Sequence, residues 1–317
     1  MSIAAYIKEI GRGKEGARSL NPEQAYDLMC QVLDGQVSDL EVGAFAMAMR
    51  IKGESVDELC GFVQATRERC LVLQPPAGAV VLPSYNGARK LPNLTALLAL
   101  LLARHGVSVL VHGPLDEPLR TSTASVFHAL GFNAARDEAE AHAAWSRGEP
   151  VLMATESLCP TLARLLAVRR VIGLRNPGHT VAKLLDPTPL QTALRVVNHT
   201  HPEYAAALTG FLQQTRASAM LLRGTEGEPV ADPRRLPRLD VFTHGVLRPE
   251  LSLPAKEGVL TELPLLPRAI DDATTAVYIQ SVVSGQTPAP APLTQQVDCI
   301  RAALAAMNEL PLQKNTA

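Results

Sequence analysis

The chain has no CxxC pair, and its five cysteines (Cys30, Cys60, Cys70, Cys159 and Cys299) stand apart. An odd, unpatterned set is no disulfide framework and implies reduced thiols in a cytoplasmic protein. Long apolar runs are missing too: Leu94 to Leu102 is the strongest, and Arg104 and His105 end it well short of the ~20 residues that span a membrane. Met1 to Lys14 has neither a long apolar run nor a small-residue cleavage site, so no secretory signal is expected. Aromatic residues make up 4%, too few for base stacking to dominate any nucleic-acid contact. Neither charge sign is in excess: 30 Lys and Arg stand against 31 Asp and Glu, a formal −1. Any affinity for a polyanion must therefore come from where the cations sit. No P-loop or GxSxG sequence occurs. His199 and His201 have HxH spacing without a third ligand nearby, and no metal is expected there.

What is present divides at Pro75-Pro76. The 317 residues are 47% apolar, enough to bury the core of one large or two smaller domains. The first 70 residues or so read as helices only. Asn21 caps a helix at Pro22, and the pairs Ser38/Glu41 and Ser55/Glu58 are capping boxes for two more. From Val80 short strands alternate with helices. The strands are Val80–Leu82, Val107–Val111, Val151–Met153, Arg195–Val197, Ala219–Leu222 and Leu239–Phe242. The helices fall at Asn93–Arg104, Thr121–Leu130, Thr161–Val171, Pro202–Gln214, Ala273–Val283 and Thr294–Met307, with extended loop and edge structure expected over Pro229–Pro267. The prediction is a helical N-terminal domain over 1–74 and an α/β domain with a mostly parallel sheet over 75–317.

Three segments carry candidate chemistry. Pro83-Ser84-Tyr85-Asn86-Gly87-Ala88-Arg89-Lys90 lies between a strand and a helix, where unpaired N–H groups make an anion site. A phosphate loop would be glycine-rich, whereas this one has one Gly, a leading Pro and two closing cations. Gly11 to Gly16 matches GxGxxG literally but follows a helical stretch rather than a strand, so its notable feature is charge: Lys8, Arg12, Lys14 and Arg18 against Glu9 and Glu15. It reads as a solvated loop or as an arm contacting phosphates. Arg169, Arg170, Arg175 and Lys183 form the densest cationic stretch and read as an anion-binding surface, the alternative being helix-dipole complementation. His112-Gly113 ends a strand, where open α/β sheets bind ligands, although a lone histidine there is more often structural; Asp116-Glu117 reads as a solvated acidic turn rather than a Mg²⁺ site, because Pro114 and Pro118 flank it.

Asp34-Gly35 through Ala48-Met49-Arg50-Ile51-Lys52-Gly53-Glu54-Ser55, then Asn93, His112-Gly113, Ala129-Leu130-Gly131 and Arg169 to Arg175, resemble in order anthranilate phosphoribosyltransferase and the wider glycosyltransferase family 3, which includes pyrimidine nucleoside phosphorylases. The resemblance spans nearly the whole chain. It implies a small helical domain beside a larger α/β domain, substrates in the cleft between them, and dimers formed through the helical domain. The departures are chemical. The diphosphate-binding GTGGD loop is Pro83-Ser84-Tyr85-Asn86-Gly87 here, the NxST segment is Asn93-Leu94-Thr95-Ala96, and KHGN is Val111-His112-Gly113-Pro114. The Asp-Glu pair that holds magnesium is replaced within Gly224-Thr225-Glu226-Gly227-Glu228-Pro229, where Glu226 and Glu228 are the remaining candidates for a metal. Diphosphate chemistry needs Mg²⁺ or several cations on the leaving group.

This pattern resembles a divergent bacterial branch of the family whose implied function is sequence-independent nucleic-acid binding by a dimer. The leading expectation is therefore a cytoplasmic homodimer on a catalytically degenerate scaffold, binding DNA or RNA phosphates and needing no cofactor. Lys8, Arg12, Lys14 and Arg18 would act on the arm, and Arg89, Lys90, Arg169, Arg170, Arg175 and Lys183 over the cleft mouth. Ser84, Tyr85, Asn86, Gly87, Asn93, His112, Gly113 and Arg169 would be the ancestral substrate cleft. The alternative is phosphoribosyl transfer with Mg²⁺ from phosphoribosyl diphosphate to an aromatic acceptor, with Arg169 on the acceptor carboxylate and His112 and Asn93 near the sugar phosphate. A nucleoside phosphorylase is a third reading.

Overall fold

The computed structural model describes residues 2–13, 15–76 and 78–309. The chain opens with α1 (Ala4–Ile10), α2 (Pro22–Leu33), α3 (Asp39–Lys52) and α4 (Val56–Arg67). Asn21, Ser38 and Ser55 each close a capping box with the residue three further on, as their spacing predicts. The inward faces of α2 and α4 bury Leu28, Met29, Leu59 and Phe62, while Phe45 of α3 meets Phe62 edge to face with ring centroids 5.8 Å apart.

The sheet begins with β1 (Ala79–Pro83), followed by α5 (Thr95–Arg104), β2 (Ser108–Gly113), α6 (Thr123–Ala129), α7 (Glu138–Ser146) and β3 (Val151–Ala154). Next come α8 (Thr155–Leu158), α9 (Pro160–Ile172), α10 (Pro177–Leu184), β4 (Ala193–His199), α11 (Tyr204–Gln214) and β5 (Ala219–Arg223). The antiparallel edge strands β6 (Leu239–Thr243) and β7 (Val246–Leu247) precede α12 (Asp272–Val283) and α13 (Ala291–Glu309). The seven strands lie in the order β3-β2-β1-β4-β5-β6-β7, and the first five are parallel.

Both faces of this sheet are covered, as parallel strands require. Val80 and Leu82 of β1 face a core built with α5, α6, α12 and α13, whereas Ala79 and Val81 face Trp145, Leu162 and Leu185. A third core joins α1–α4 to α9, α10, α11 and the far face of β4–β6, through Leu165, Val181, Phe211 and Leu221. The helical layer therefore recruits α9 and α10 from well beyond residue 74. Strand order reverses direction between β1 and β4, and ligands of open α/β sheets bind beyond the strand C-termini at such a point. Ser84 follows β1, Thr200 follows β4, and Glu226 and Glu228 follow β5 at that same end.

Four elements have no counterpart in the sequence reading: α7, α8, α10 and β7. Pro177 starts α10 at its first turn, capped by Asn176 and His179.

Candidate functional site

The loop after β1 is an anion cradle, and it is full. The backbone N–H groups of Asn86 and Gly87 both donate to Glu228 Oε1 at 2.7 Å. The other oxygen of that carboxylate accepts from the Ser84 hydroxyl and, at 3.4 Å, from those of Thr95 and Thr123. Glu226 caps the outer half: the Arg89 N–H reaches its Oε2 at 2.9 Å, and the Lys90 and Leu91 N–H groups reach its Oε1 at 2.8 and 2.9 Å. Glu228 is buried. The segment that delivers the carboxylates bends sharply, with Glu226 at φ 53 and Gly227 at φ 86. Any Cβ at Gly227 would lie 1.7 Å from Asn86 Nδ2, whose amide donates to Glu226 O at 2.8 Å.

This corrects the expectation that Glu226 and Glu228 remain available to a metal. Both oxygens of each carboxylate face N–H or O–H donors, a donor set that suits an anion and excludes a divalent cation. Mg²⁺ does not fit the site. Among the described residues, no group of three or more His, Cys, Asp or Glu is placed to hold a metal ion.

The residues expected to line an ancestral substrate cleft are likewise turned inward. Ser84, Tyr85, Asn86, Asn93 and His112 are all buried. Thr155 donates to the Tyr85 hydroxyl at 3.2 Å, which lies 2.9 Å from His112 Nδ1, and His112 Nε2 faces Leu185 O at 3.3 Å. This chain fixes a neutral imidazole with its proton on Nε2, and burial pushes the ring's pKa down to about 4. Asn93 spends its amide on Thr121 O and Thr123 Oγ1 and its carbonyl on the Thr95 N–H. Gly113 sits so close to Ser84 that a Cβ would meet its carbonyl at 1.9 Å. His112 and Asn93 are therefore structural, contrary to their expected place beside a sugar phosphate.

A separate cleft of about 300 Å³ opens between α3 and the α/β domain. Arg50, Arg175, His179, Lys183, Asn198 and His201 line it. Lys183 Nζ donates to Gly227 O at 3.2 Å and Asn198 Oδ1 at 3.4 Å, which leaves the buried Asn198 Nδ2 without an acceptor among the described residues. The cations press on one another. Arg120 loses basicity to burial and then to Arg89, and Arg175 loses it to burial and then to Arg169 and Arg120. Lys183 is pushed down to about 8 by burial and then by Arg175, and His179 to about 3 by the same two causes.

The expected cation set is only partly assembled here. Arg175 and Lys183 enter the cleft, and Arg89 and Lys90 stand exposed on the cradle's rim. Arg169 is tied to Glu117 at 2.9 Å, so the turn read as solvated is an ion-pair partner and the arginine expected to hold an acceptor carboxylate is already engaged. Arg170 is exposed. The N-terminal loop is folded rather than a projecting arm: Arg18 N–H bonds Glu9 O and Ala17 N–H bonds Gly13 O. Lys8, Arg12 and Arg18 are exposed there, with Arg12 bonded to Glu9 at 2.7 Å, and Lys14 lies outside the described residues. Gly11 abuts Ala48, next to Met49 and Arg50 of the cleft wall. Arg50 and Arg120 were missed by the sequence reading. Arg50 sits in a family-like helix with no local charge cluster, and only the fold brings Arg120 beside Arg89.

A helical domain set against a mostly parallel sheet, with a cleft at the strand C-termini, defines the phosphoribosyltransferase and nucleoside phosphorylase class of architecture. Residues 4–70 match the helical bundle domain of the glycosyl transferase family. The chain is 40% identical over 302 residues to the Escherichia coli protein YbiB, itself described as uncharacterized, covering 94% of this chain and 93% of that one. It is 27% identical to anthranilate phosphoribosyltransferase 2 of Ralstonia nicotianae, over 87% of this chain and 80% of that one. Anthranilate phosphoribosyltransferase from Thermus thermophilus shares the fold, with a TM-score of 0.70 at 20% identity over 96% and 90% of the two chains. The chain belongs to the anthranilate phosphoribosyltransferase-like proteins of glycosyltransferase family 3. Among the described residues no helix is long and apolar enough to cross a membrane.

Proposed function

We propose that this protein is a cytoplasmic homodimer that binds nucleic-acid backbones without sequence preference. One observation carries the reading: the backbone donors of the loop after β1 are taken by internal carboxylates, while among the described residues Arg89, Arg120, Arg175 and Lys183 form no salt bridge. Arg89, Arg120, Arg175 and Lys183 lie close enough for charge to depress charge. A phosphodiester chain relieves that repulsion, and side-chain cations contact phosphates without reading bases. Asn198, whose buried Nδ2 finds no acceptor among the described residues, stands in the same wall. A homodimer through the helical domain is supported by an exposed apolar stripe on α3, formed by Leu40, Met47 and Ile51.

The test is a fluorescence anisotropy titration with unrelated DNA and RNA sequences. Affinity is expected to be the same across sequences. Engagement of about six phosphates loses roughly 10³-fold in affinity between 50 and 200 mM salt. Arg89→Ala with Lys90→Ala weakens all sequences alike and lowers the salt slope by about one for each cation removed. A flat salt response removes the proposal. Lys183 adds a pH signature: a bound phosphate raises its pKa, so affinity is complete below about 8 and falls as pH rises through that value. Lys183→Met flattens this profile.

Phosphoribosyl transfer, named for the Ralstonia and Thermus relatives, needs a diphosphate on the loop that Glu228 fills and an acceptor on the arginine that Glu117 holds. No feature of the site favours it over the binding reading.

A further inference from the structure

We infer that Cys70 and Cys159 form a peroxide-sensitive thiol pair, which closes as a disulfide between the end of the helical layer and the start of α9. The sequence sets these two cysteines far apart, and the fold puts them together. Cys70 Sγ lies 3.2 Å from Thr66 O, and Cys159 Sγ lies 3.8 Å from that same oxygen and 3.6 Å from Arg69 O. Both sulfurs therefore gather at the C-terminal end of α4. The backbones are pinned there as well. The Leu71 N–H donates to Leu158 O at 2.8 Å, which joins the peptide unit after Cys70 to the one before Cys159. The bond that remains to be made is between side chains. It would tie the segment leaving α4 to the junction of α8 and α9, two parts of the chain that the structure holds together by non-covalent contacts alone.

The two thiols are unequal. Cys159 directly precedes the first turn of the 13-residue helix α9, where the helix dipole favours an anion. Its pKa is held down to about 6, first by Cys70, then by the Thr161 hydroxyl 3.5 Å away, the Leu162 N–H and the Arg69 charge, against its burial. Cys70 is driven the other way, first by Cys159 and then by burial. Cys159 is therefore the nucleophile, and Cys70 is the thiol that resolves it. Cys159 is fully buried, whereas Cys70 is half-buried and gives a molecule as small as H₂O₂ its approach. The Cys159 thiolate attacks one peroxide oxygen. An S–O bond forms, the O–O bond breaks, and the departing hydroxide takes the Cys70 proton and leaves as water. The Cys70 thiolate then attacks the sulfur of the Cys159 sulfenic acid. The S–S bond forms, the S–O bond breaks, and the second hydroxide leaves as water with the proton that Cys159 had released. Two thiols are oxidised to one disulfide, and one peroxide is reduced to two waters. A dithiol reverses the bond by exchange.

Full-length wild type is treated with H₂O₂, blocked with N-ethylmaleimide in denaturant, digested with trypsin without reduction and read by mass spectrometry. Cleavage after Arg69, Arg89, Arg147 and Arg164 puts the two cysteines on peptides 70–89 and 148–164, which only the disulfide joins. Burial pushes the Cys60 thiol up to about 11 and raises that of Cys299, so these two are the internal references. The joined peptides are expected to appear at least about tenfold faster than Cys60 or Cys299 loses its label, and to separate after dithiothreitol. In Cys70→Ser the sulfenic acid on Cys159 has no resolving thiol and is trapped by dimedone. Cys159→Ser gives neither joined peptides nor an adduct. Cys30, which also acts on Arg69, is the control, and Cys30→Ser is expected to close the bond as wild type does. Oxidation of Cys60 and Cys299 as fast as the pair overturns the inference. So does a dimedone adduct on wild-type Cys159 while Cys70 keeps its label, or a link between two copies seen on a non-reducing gel. If a serine variant fails to fold, the wild-type measurement decides alone.

Discussion

Burial decides what the histidines of this scaffold do. His112 occupies a position that the family resemblance assigns to substrate, yet the Thr155–Tyr85–His112–Leu185 chain leaves both ring nitrogens engaged and the ring neutral. His179, beside Arg175, is held neutral even more strongly. The pH consequence has a definite sign. An unfolded histidine takes a proton near 6.5, whereas folded His112 takes one only near 4. Its stabilising contribution is therefore complete above pH 6.5 and is lost as pH falls toward 4. The loss is on the order of 3 kcal/mol for His112 alone. Urea midpoints measured at pH 6.5 and 4.5 are expected to fall in the wild type and to fall less in His112→Gln. Equal slopes in the two proteins would mean that this ring titrates as an exposed one.

The helices of the N-terminal layer are tied to one another by a single buried carboxylate. Glu58, in the first turn of α4, is fully buried. It accepts from the Ser55 N–H that begins its own helix at 2.8 Å, from the Leu20 N–H before α2 at 3.0 Å, and from Lys52 at the end of α3 at 2.6 Å. Glu58→Ala leaves Lys52, itself 8% exposed, as an uncompensated charge. That costs about 3–5 kcal/mol, seen as a lower urea midpoint. Half of this device was legible: Ser55 and Glu58 declare a capping box by their spacing, but nothing local says that the same carboxylate also holds Leu20 and Lys52. The same divide runs through the molecule. Strands β1 to β6 show as apolar runs and most helices as periodic faces. By contrast α7 spreads alanines around its circumference, and α10 begins at a proline that marks a helix start and a turn equally well. The loop after β1 announced an anion site through its position alone. Its occupant could not be read, because Glu226 and Glu228 lie some 140 residues downstream and only the fold brings the segment after β5, two strands away, across to it.

At the scale of the whole molecule, the question is how weakly spaced cations could hold a nucleic acid when net charge is near zero. Each cleft offers few contacts, and salt screens exposed charges beyond about 8 Å at physiological ionic strength. In the proposed homodimer two clefts would lie on one particle, and the second contact would become intramolecular. The α3 stripe is the surface proposed for that subunit contact. Leu40, Met47 and Ile51 recur at spacings of seven and four, share one helix face, and are 84%, 39% and 64% exposed, while Phe45 and Met49 on the opposite face are buried. The same helix carries Arg50 into the cleft wall, so in the proposed dimer a partner docked on α3 would set the distance between the two cationic strips. Met47→Glu with Ile51→Glu places charges in that interface and is expected to yield a monomer by sedimentation velocity, with an unchanged circular dichroism spectrum. The monomer should bind an oligonucleotide that fills one cleft as well as wild type does, and bind a fragment spanning both about 10²-fold more weakly. An equal loss on short and long ligands would place the apolar stripe in the binding surface itself. A dimer that survives both substitutions would place the subunit contact elsewhere on the helical layer.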